Sequence, residues 1–191
     1  LTMVDLDQFV AECKEALKTR NPAAIVEGLG RDAIADPESL VAAFAAKVKG
    51  PTLEDRIIYR DEQLSVVQVA TSPGMRSPVH NHCMWAVIGV YDGEEQNWFY
   101  SDAADNGNGK PEQIGERLLK KGDVCVLSAD DIHAIANPLP TVSSAIHVYG
   151  GDLVAREGRS VWNPHTNTRE DYEIKRLGQY VKELSLSLIH I

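Results

Sequence analysis

Two histidines one residue apart, His80 and His82 in SPVHNHCMW, and a third, His133 in DDIHAIAN, are the residues of this chain best suited to hold a metal ion. On a β-strand, residues i and i+2 point to the same face, so the first pair can aim both imidazoles at one point. His133 completes the set if its strand lies opposite. Three neutral nitrogen ligands with no carboxylate leave positions open on the metal, which suits chemistry as well as binding. His147 and Tyr149 form a second i, i+2 pair on one strand face.

These residues must be positioned by elements that the pattern of the chain suggests. Residues 1–50 read as a helical segment. Asp5 can cap a helix carrying Phe9, Val10, Cys13 and Leu17 at helical spacing, and Asn21-Pro22 ends it. A second helical piece carries Ile25, Val26 and Leu29 and stops near Gly30. A third, after Asp36-Pro37, carries Leu40, Val41, Phe44 and Val48. Residues 51–170 then change texture. Short β-rich runs (RIIYR, LSVVQVAT, WAVIGVY, QNWFYS, RLLKKGDVCVLS, HAIAN, SSAIHVYGG) alternate with turn clusters such as SPG, DGEE, DNGNGKPE and NPLP. Such spacing predicts an all-β barrel or sandwich. Over 171–191, Leu177, Tyr180, Val181 and Leu184 predict one last helix, and the apolar SLSLIHI end reads as a docked strand or a non-native remnant.

The two histidine segments resemble the two motifs of the cupin superfamily. Gly74, His80, His82 and Gly93 hold the spacing of the first motif, with Ala86 where its glutamate ligand would sit. Gly122, His133 and Asn137 hold the second, with Ser128 and Asp130 in place of its proline and second glycine. The resemblance implies a double-stranded β-helix (jelly-roll) barrel. Without the glutamate, the site is similar to that of the thiol dioxygenases: cysteine dioxygenase and the bacterial 3-mercaptopropionate enzymes. It implies Fe(II) as cofactor, and a small thiol and O2 as partners, yielding a sulfinate.

In those enzymes a Ser-His-Tyr relay lies beside the iron. Here His147 and Tyr149 match its last two members, while Ala145 stands at the serine and Ser143 lies two residues earlier. A thioether crosslink to Tyr149 is not expected, because Ala86 replaces the cysteine that forms it in the animal enzyme. A substrate carboxylate calls for an arginine fork. The resemblance puts Arg159 of RSVW first, with Arg60 as runner-up and Arg76 as a third candidate.

Composition narrows the alternatives. The 191 residues carry a formal charge of -9 with no basic patch, so neither nucleic acid nor an anionic membrane is expected as a partner. Cys13, Cys83 and Cys125 fit no disulfide framework, and a reducing cytoplasm is the expected setting. No run of apolar residues is long enough to span a bilayer, and no secretion signal is evident. The sequence sets no oligomeric state.

Several residues have plain readings. Trp85 and Trp98 read as core or pocket wall, Cys125 as core, and Cys83 as facing away from the metal by strand parity. His165 reads as a solvated loop residue, and Asp92, Glu94 and Glu95 as a solvated turn. Two other functions fit the same motifs: a metal-dependent cupin enzyme acting on a non-thiol substrate, and a cupin that binds metal or ligand without turnover.

Overall fold

The computed structural model describes residues 3–102 and 110–187. Three helices come first: α1 (Leu6–Ala16), α2 (Pro22–Ile34) and α3 (Pro37–Ala45). Asp5 caps α1 as expected, its carboxylate accepting from the N–H groups of Asp7 and Gln8. Asn21 and Asp36 cap the next two, each followed by proline at the first helical position. Gly30 does not end α2, contrary to the sequence reading. The helix runs on to Ile34, and Gly30 is buried against Val87 and Val124. The glycine permits close helix–sheet approach there, an advantage that local propensity does not register. The four-residue helix α4 (Leu53–Arg56) was not foreseen; Thr52 and Asp55 close it with a capping box.

Eleven strands follow, and all their pairings are antiparallel: β1 (Ile57–Arg60), β2 (Ser65–Thr71), β3 (His80–Asn81), β4 (Ala86–Asp92), β5 (Glu94–Ser101), β6 (Glu112–Lys120), β7 (Val124–Leu127), β8 (Ile132–Ala136), β9 (Ser143–Tyr149), β10 (Ser160–Trp162) and β11 (Arg169–Asp171). They form a five-stranded sheet, β1-β2-β9-β4-β7, and a six-stranded sheet, β11-β10-β3-β8-β5-β6. This is the expected double-stranded β-helix with helices at its N-terminal end. A last helix, α5 (Ile174–Ser187), follows the barrel. The DNGNGKPE turn lies largely outside the described residues, as does the end of SLSLIHI.

Strand alternation separates two cores. On the outer face of the five-stranded sheet, Val66, Val87, Ile146 and Val148 pack with Leu6, Phe9, Val26, Leu40 and Phe44 of the helices. On the inner face, Val67, Ile88, Val90, Ala145 and Tyr149 pack inside the barrel with Cys125 and Leu127. Burial on both faces explains why β4 reads as an unbroken apolar run. It also fixes register, since a one-residue slip would exchange the two cores. The β4–β5 turn depends on Gly93, which has φ +74°. A Cβ there would also meet the Ser143 side chain at 2.4 Å.

Candidate metal centre

His80 and His133 sit directly opposite each other on the neighbouring strands β3 and β8. The sequence reading placed His133 on an opposing strand; it lies beside His80 in the same sheet, and cross-strand pairing brings the rings together. β3 ends at Asn81, and His82 follows it with its ring still inside the barrel. Cys83 then adopts φ 54°, turning the chain away from the sheet, and its thiol donates outward to the Gly158 carbonyl. It is no ligand, as its parity suggested.

The potential ligand atoms of His80, His82 and His133 all lie within 4.8 Å of one another. Nε2 of His82 and Nε2 of His133 are 3.0 Å apart. Two metal–nitrogen bonds of about 2.1 Å meeting near a right angle require roughly that separation. No carboxylate among the described residues joins the cluster. Ala86, at the glutamate position, is buried and pairs with Tyr149 across β4 and β9.

Each ring is oriented through its other nitrogen, as metal-binding imidazoles usually are. His80 Nδ1 donates to the Pro78 carbonyl at 3.0 Å, and His133 Nδ1 donates to Asn97 Oδ1 at 3.0 Å. Arg159 Nη2 donates to His82 Nδ1 at 3.3 Å. In that arrangement the His82 proton is on Nε2; a metal ion bound there would shift it to Nδ1 and free the Arg159 N–H, because a neutral imidazole keeps one proton. Burial lowers all three basicities, with His80 brought down to about 4 and His82 and His133 well below the usual histidine range. The rings are therefore neutral near pH 7, as metal ligation requires. The residues present fit a divalent metal held by three imidazoles.

The opposite sheet supplies the facing groups. His147 and Tyr149, on β9, point inward, with His147 Nδ1 2.9 Å from the Tyr149 hydroxyl. The Tyr149 ring centroid is 5.1 Å from that of His82. Burial pushes the Tyr149 hydroxyl far above its ordinary range, so the phenol remains protonated. Ser143 is bound elsewhere: its hydroxyl donates to Asn137 Oδ1 and accepts from the Glu94 N–H.

Among the three arginines, Arg159 alone reaches the site. It is 4% exposed, donates to the carbonyls of Asn81 and Leu153, and lies 3.6 Å over the Tyr172 ring. Among the described residues no carboxylate forms an ion pair with it. A buried cation without a counter-ion is costly, and an incoming carboxylate relieves that cost. Arg60 is committed elsewhere, forked onto Asp152 at 2.6 and 3.0 Å. Arg76 stacks over Trp98.

His80, His82, His147, Tyr149 and Arg159 line one cavity of about 310 Å³. Its remaining wall is mostly apolar. The sequence did not reveal that α5 contributes to it: Leu177 and Val181, one helical turn apart, reach the cavity. The helix is anchored by hydrogen bonds from Tyr180 to Glu170 and between His165 and Glu183. His165 is thus exposed, as expected, but not unpartnered.

Glu95 departs from its sequence reading. It is not part of a solvated turn but is 3% exposed inside the barrel. β5 begins at Glu94, so Glu95, Asn97 and Phe99 form its inward row. Asn97 Nδ2 donates to Glu95 Oε1 at 2.9 Å while its oxygen holds His133. Glu95 Oε2 lies 3.6 Å from His147 Nε2. Asp92 is exposed, as expected of a turn.

No sequence-family model matches the chain. Among solved structures, a double-stranded β-helix protein from Klebsiella pneumoniae is 18% identical over 62% of this chain and 87% of its own, with a TM-score of 0.46. An RmlC-like cupin from Methanocaldococcus jannaschii is 12% identical over 51% of this chain and 78% of its own (TM-score 0.41). An oxalate oxidase in complex with glycolate is 20% identical over 51% of this chain; the chain spans only 45% of that protein (TM-score 0.41). These likenesses are distant ones of fold, and no step toward a reaction rests on them. The chain is a double-stranded β-helix barrel whose three buried histidines can hold a metal ion.

Proposed function

We propose that this chain is a non-haem iron(II) thiol dioxygenase, oxidising a small carboxylated thiol, 3-mercaptopropionate or cysteine, to its sulfinate. The observation that carries the reading is a neutral three-histidine cluster, two of whose rings, His80 and His82, line the same cavity as the buried Arg159, which has no carboxylate partner among the described residues. Together they favour a small ligand with two anionic ends: a thiolate for the metal and a carboxylate for Arg159. A ferrous ion held by His80, His82 and His133 would bind the thiolate and supply the redox capacity for oxygen. The balanced reaction is RSH + O2 → RSO2H, with both oxygen atoms on sulfur.

The protein's own groups do the rest. Arg159 has an N–H left over on each terminal nitrogen after its bonds to two carbonyls and to His82 Nδ1, and these can fork onto a carboxylate. Tyr149 presents a protonated hydroxyl beside His82, where it can hydrogen-bond a bound substrate. Leu153, Leu177 and Val181 give the cavity an apolar wall. A reducing compartment suits both the free cysteines and a ferrous ion. No helix among the described residues is long and apolar enough to cross a membrane.

The test is anaerobic loading with Fe(II), Zn(II) or Mn(II), followed by oxygen uptake with 3-mercaptopropionate, cysteine and cysteamine, and with diketones and phenolic acids as controls. The proposal expects iron-dependent uptake with the carboxylated thiols above all. Uptake with a non-thiol alone, or tight metal binding without turnover, overturns it.

A further inference from the structure

The relay serine of the enzymes this chain resembles is absent here, and β9 carries Ala145 in its place. His147 Nε2 is consequently a buried nitrogen without a hydrogen-bond partner. Such orphans are uncommon, because a buried polar group without a partner loses its hydration and gains nothing in return. The nearest group of complementary chemistry is Glu95 Oε2, 3.6 Å away, on a side chain as deeply buried as the histidine. Glu95 and Ala145 line the same narrow crevice, which has no room for a water molecule.

We infer that Glu95 is the positioning residue for the His147–Tyr149 pair and takes the part left vacant at Ala145. The carboxylate accepts only, so it places a His147 proton on Nε2. Nδ1 is then the acceptor, and the Tyr149 hydroxyl must donate to it across their 2.9 Å contact. The Tyr149 oxygen is left with lone pairs directed at the cavity. A serine would do the same with a neutral oxygen; a carboxylate does it with a charge. Its other oxygen is tied through Asn97 to His133, so one buried anion orients both the relay and a metal ligand. A buried carboxylate is tolerated only with such partners.

The orienting role stands on geometry alone, whereas its effect on turnover rests on the reading of the site as a thiol dioxygenase. Two measurements separate these. Long-range proton–nitrogen NMR of the zinc-loaded full chain reports which His147 nitrogen bears the proton. Nε2 is expected in the wild type and in Glu95→Gln, which keeps an acceptor oxygen. Nδ1 is expected in Glu95→Leu, where Tyr149 becomes the remaining acceptor. A wild-type ring protonated on Nδ1 overturns the inference even if Glu95→Leu does not fold.

In steady-state oxidation by the iron-loaded protein, Glu95→Leu should lower kcat by about tenfold or more, with KM near wild type. Adding Ala145→Ser to that variant should restore most of the loss. A purely structural role, exerted through Asn97 and β5, would not be rescued by a hydroxyl on β9. Failure of that rescue, or an undiminished kcat in Glu95→Leu, overturns the assignment. If no thiol is oxidised, the proposed reaction fails while the NMR result still decides the orienting role.

Discussion

The two faces of the five-stranded sheet are built from the same strands and serve different ends. On β9, Ile146 and Val148 face the helices and pack in an apolar cluster, relieved only by Gln68 opposite Ile146, whose amide donates to the Tyr91 hydroxyl. Ala145, His147 and Tyr149, interleaved with them, face the barrel and meet a carboxylate, the His82 imidazole and a cavity. The outer face is satisfied mostly by residues of the right volume. The inner face requires particular donors and acceptors in particular places. A strand that alternates between these demands lets the barrel hold buried polar groups without losing its stability, because the outer core supplies the burial that the inner one gives up.

That contrast predicts that inward substitutions damage activity and outward ones damage stability. The largest effect belongs to His133→Ala, which removes a ligand. Activity should drop by more than ~100-fold, since even groups that merely orient a ligand are worth about 10–100-fold. Metal analysis should show the ion lost while circular dichroism shows the fold retained. Next is Arg159→Met. Losing a charge-assisted contact of roughly 1.5–3 kcal/mol should raise KM for carboxylated thiols about 10–100-fold. The KM for cysteamine, which lacks the carboxylate, should change little, while kcat falls for all thiols through the lost contact with His82; an equal rise in KM for both would remove Arg159 from carboxylate binding.

On the outer face, Ile146→Ala should cost about 2–5 kcal/mol in denaturant unfolding, with kcat per folded molecule unchanged. A change in kcat would show that the two faces are coupled. Acid should act through the inner face. His80 is lowered from 6.5 to about 4, so the unfolded chain takes up protons first. The metal-free protein should therefore be at full stability above about pH 6.5 and lose it progressively down to about pH 4. His82 and His133 are shifted in the same direction. Thermal melts across that range check the sign. The smallest expected effect is Asp5→Ala at the α1 cap, about 1 kcal/mol, with no change in activity.

The histidine cluster was legible because its spacing is itself the signal, and the longer strands because alternation and turn residues mark them; the three-residue strands β10 and β11 are too short to show alternation and were not read. The cap at Asp5 was visible for the same local reason; Asn21 and Asp36 were read only as helix boundaries, and the structure makes both of them caps. What was hidden depends on contacts between distant segments. Gly30 looks like a helix end until Val87 and Val124 are seen against it. Nothing in the spacing of Leu177 and Val181 says that their helix docks over the cavity. Glu95 was obscured by its neighbours, since DGEE has the composition of a solvated turn. The available clue was parity: Glu95 lies two residues before Asn97 in a strand, so both must face the same way. Charge outweighed parity in that reading, and the barrel interior reversed the order by giving the carboxylate partners.

The central claim is that three imidazoles and one arginine bring a thiol and oxygen together so that both oxygen atoms reach sulfur. Mass spectrometry of the product formed under ¹⁸O2 by the iron-loaded chain tests it most directly. The account predicts a sulfinate carrying two labelled oxygens, absent from the His133→Ala variant. A disulfide, or a product whose oxygen comes from water, would contradict it.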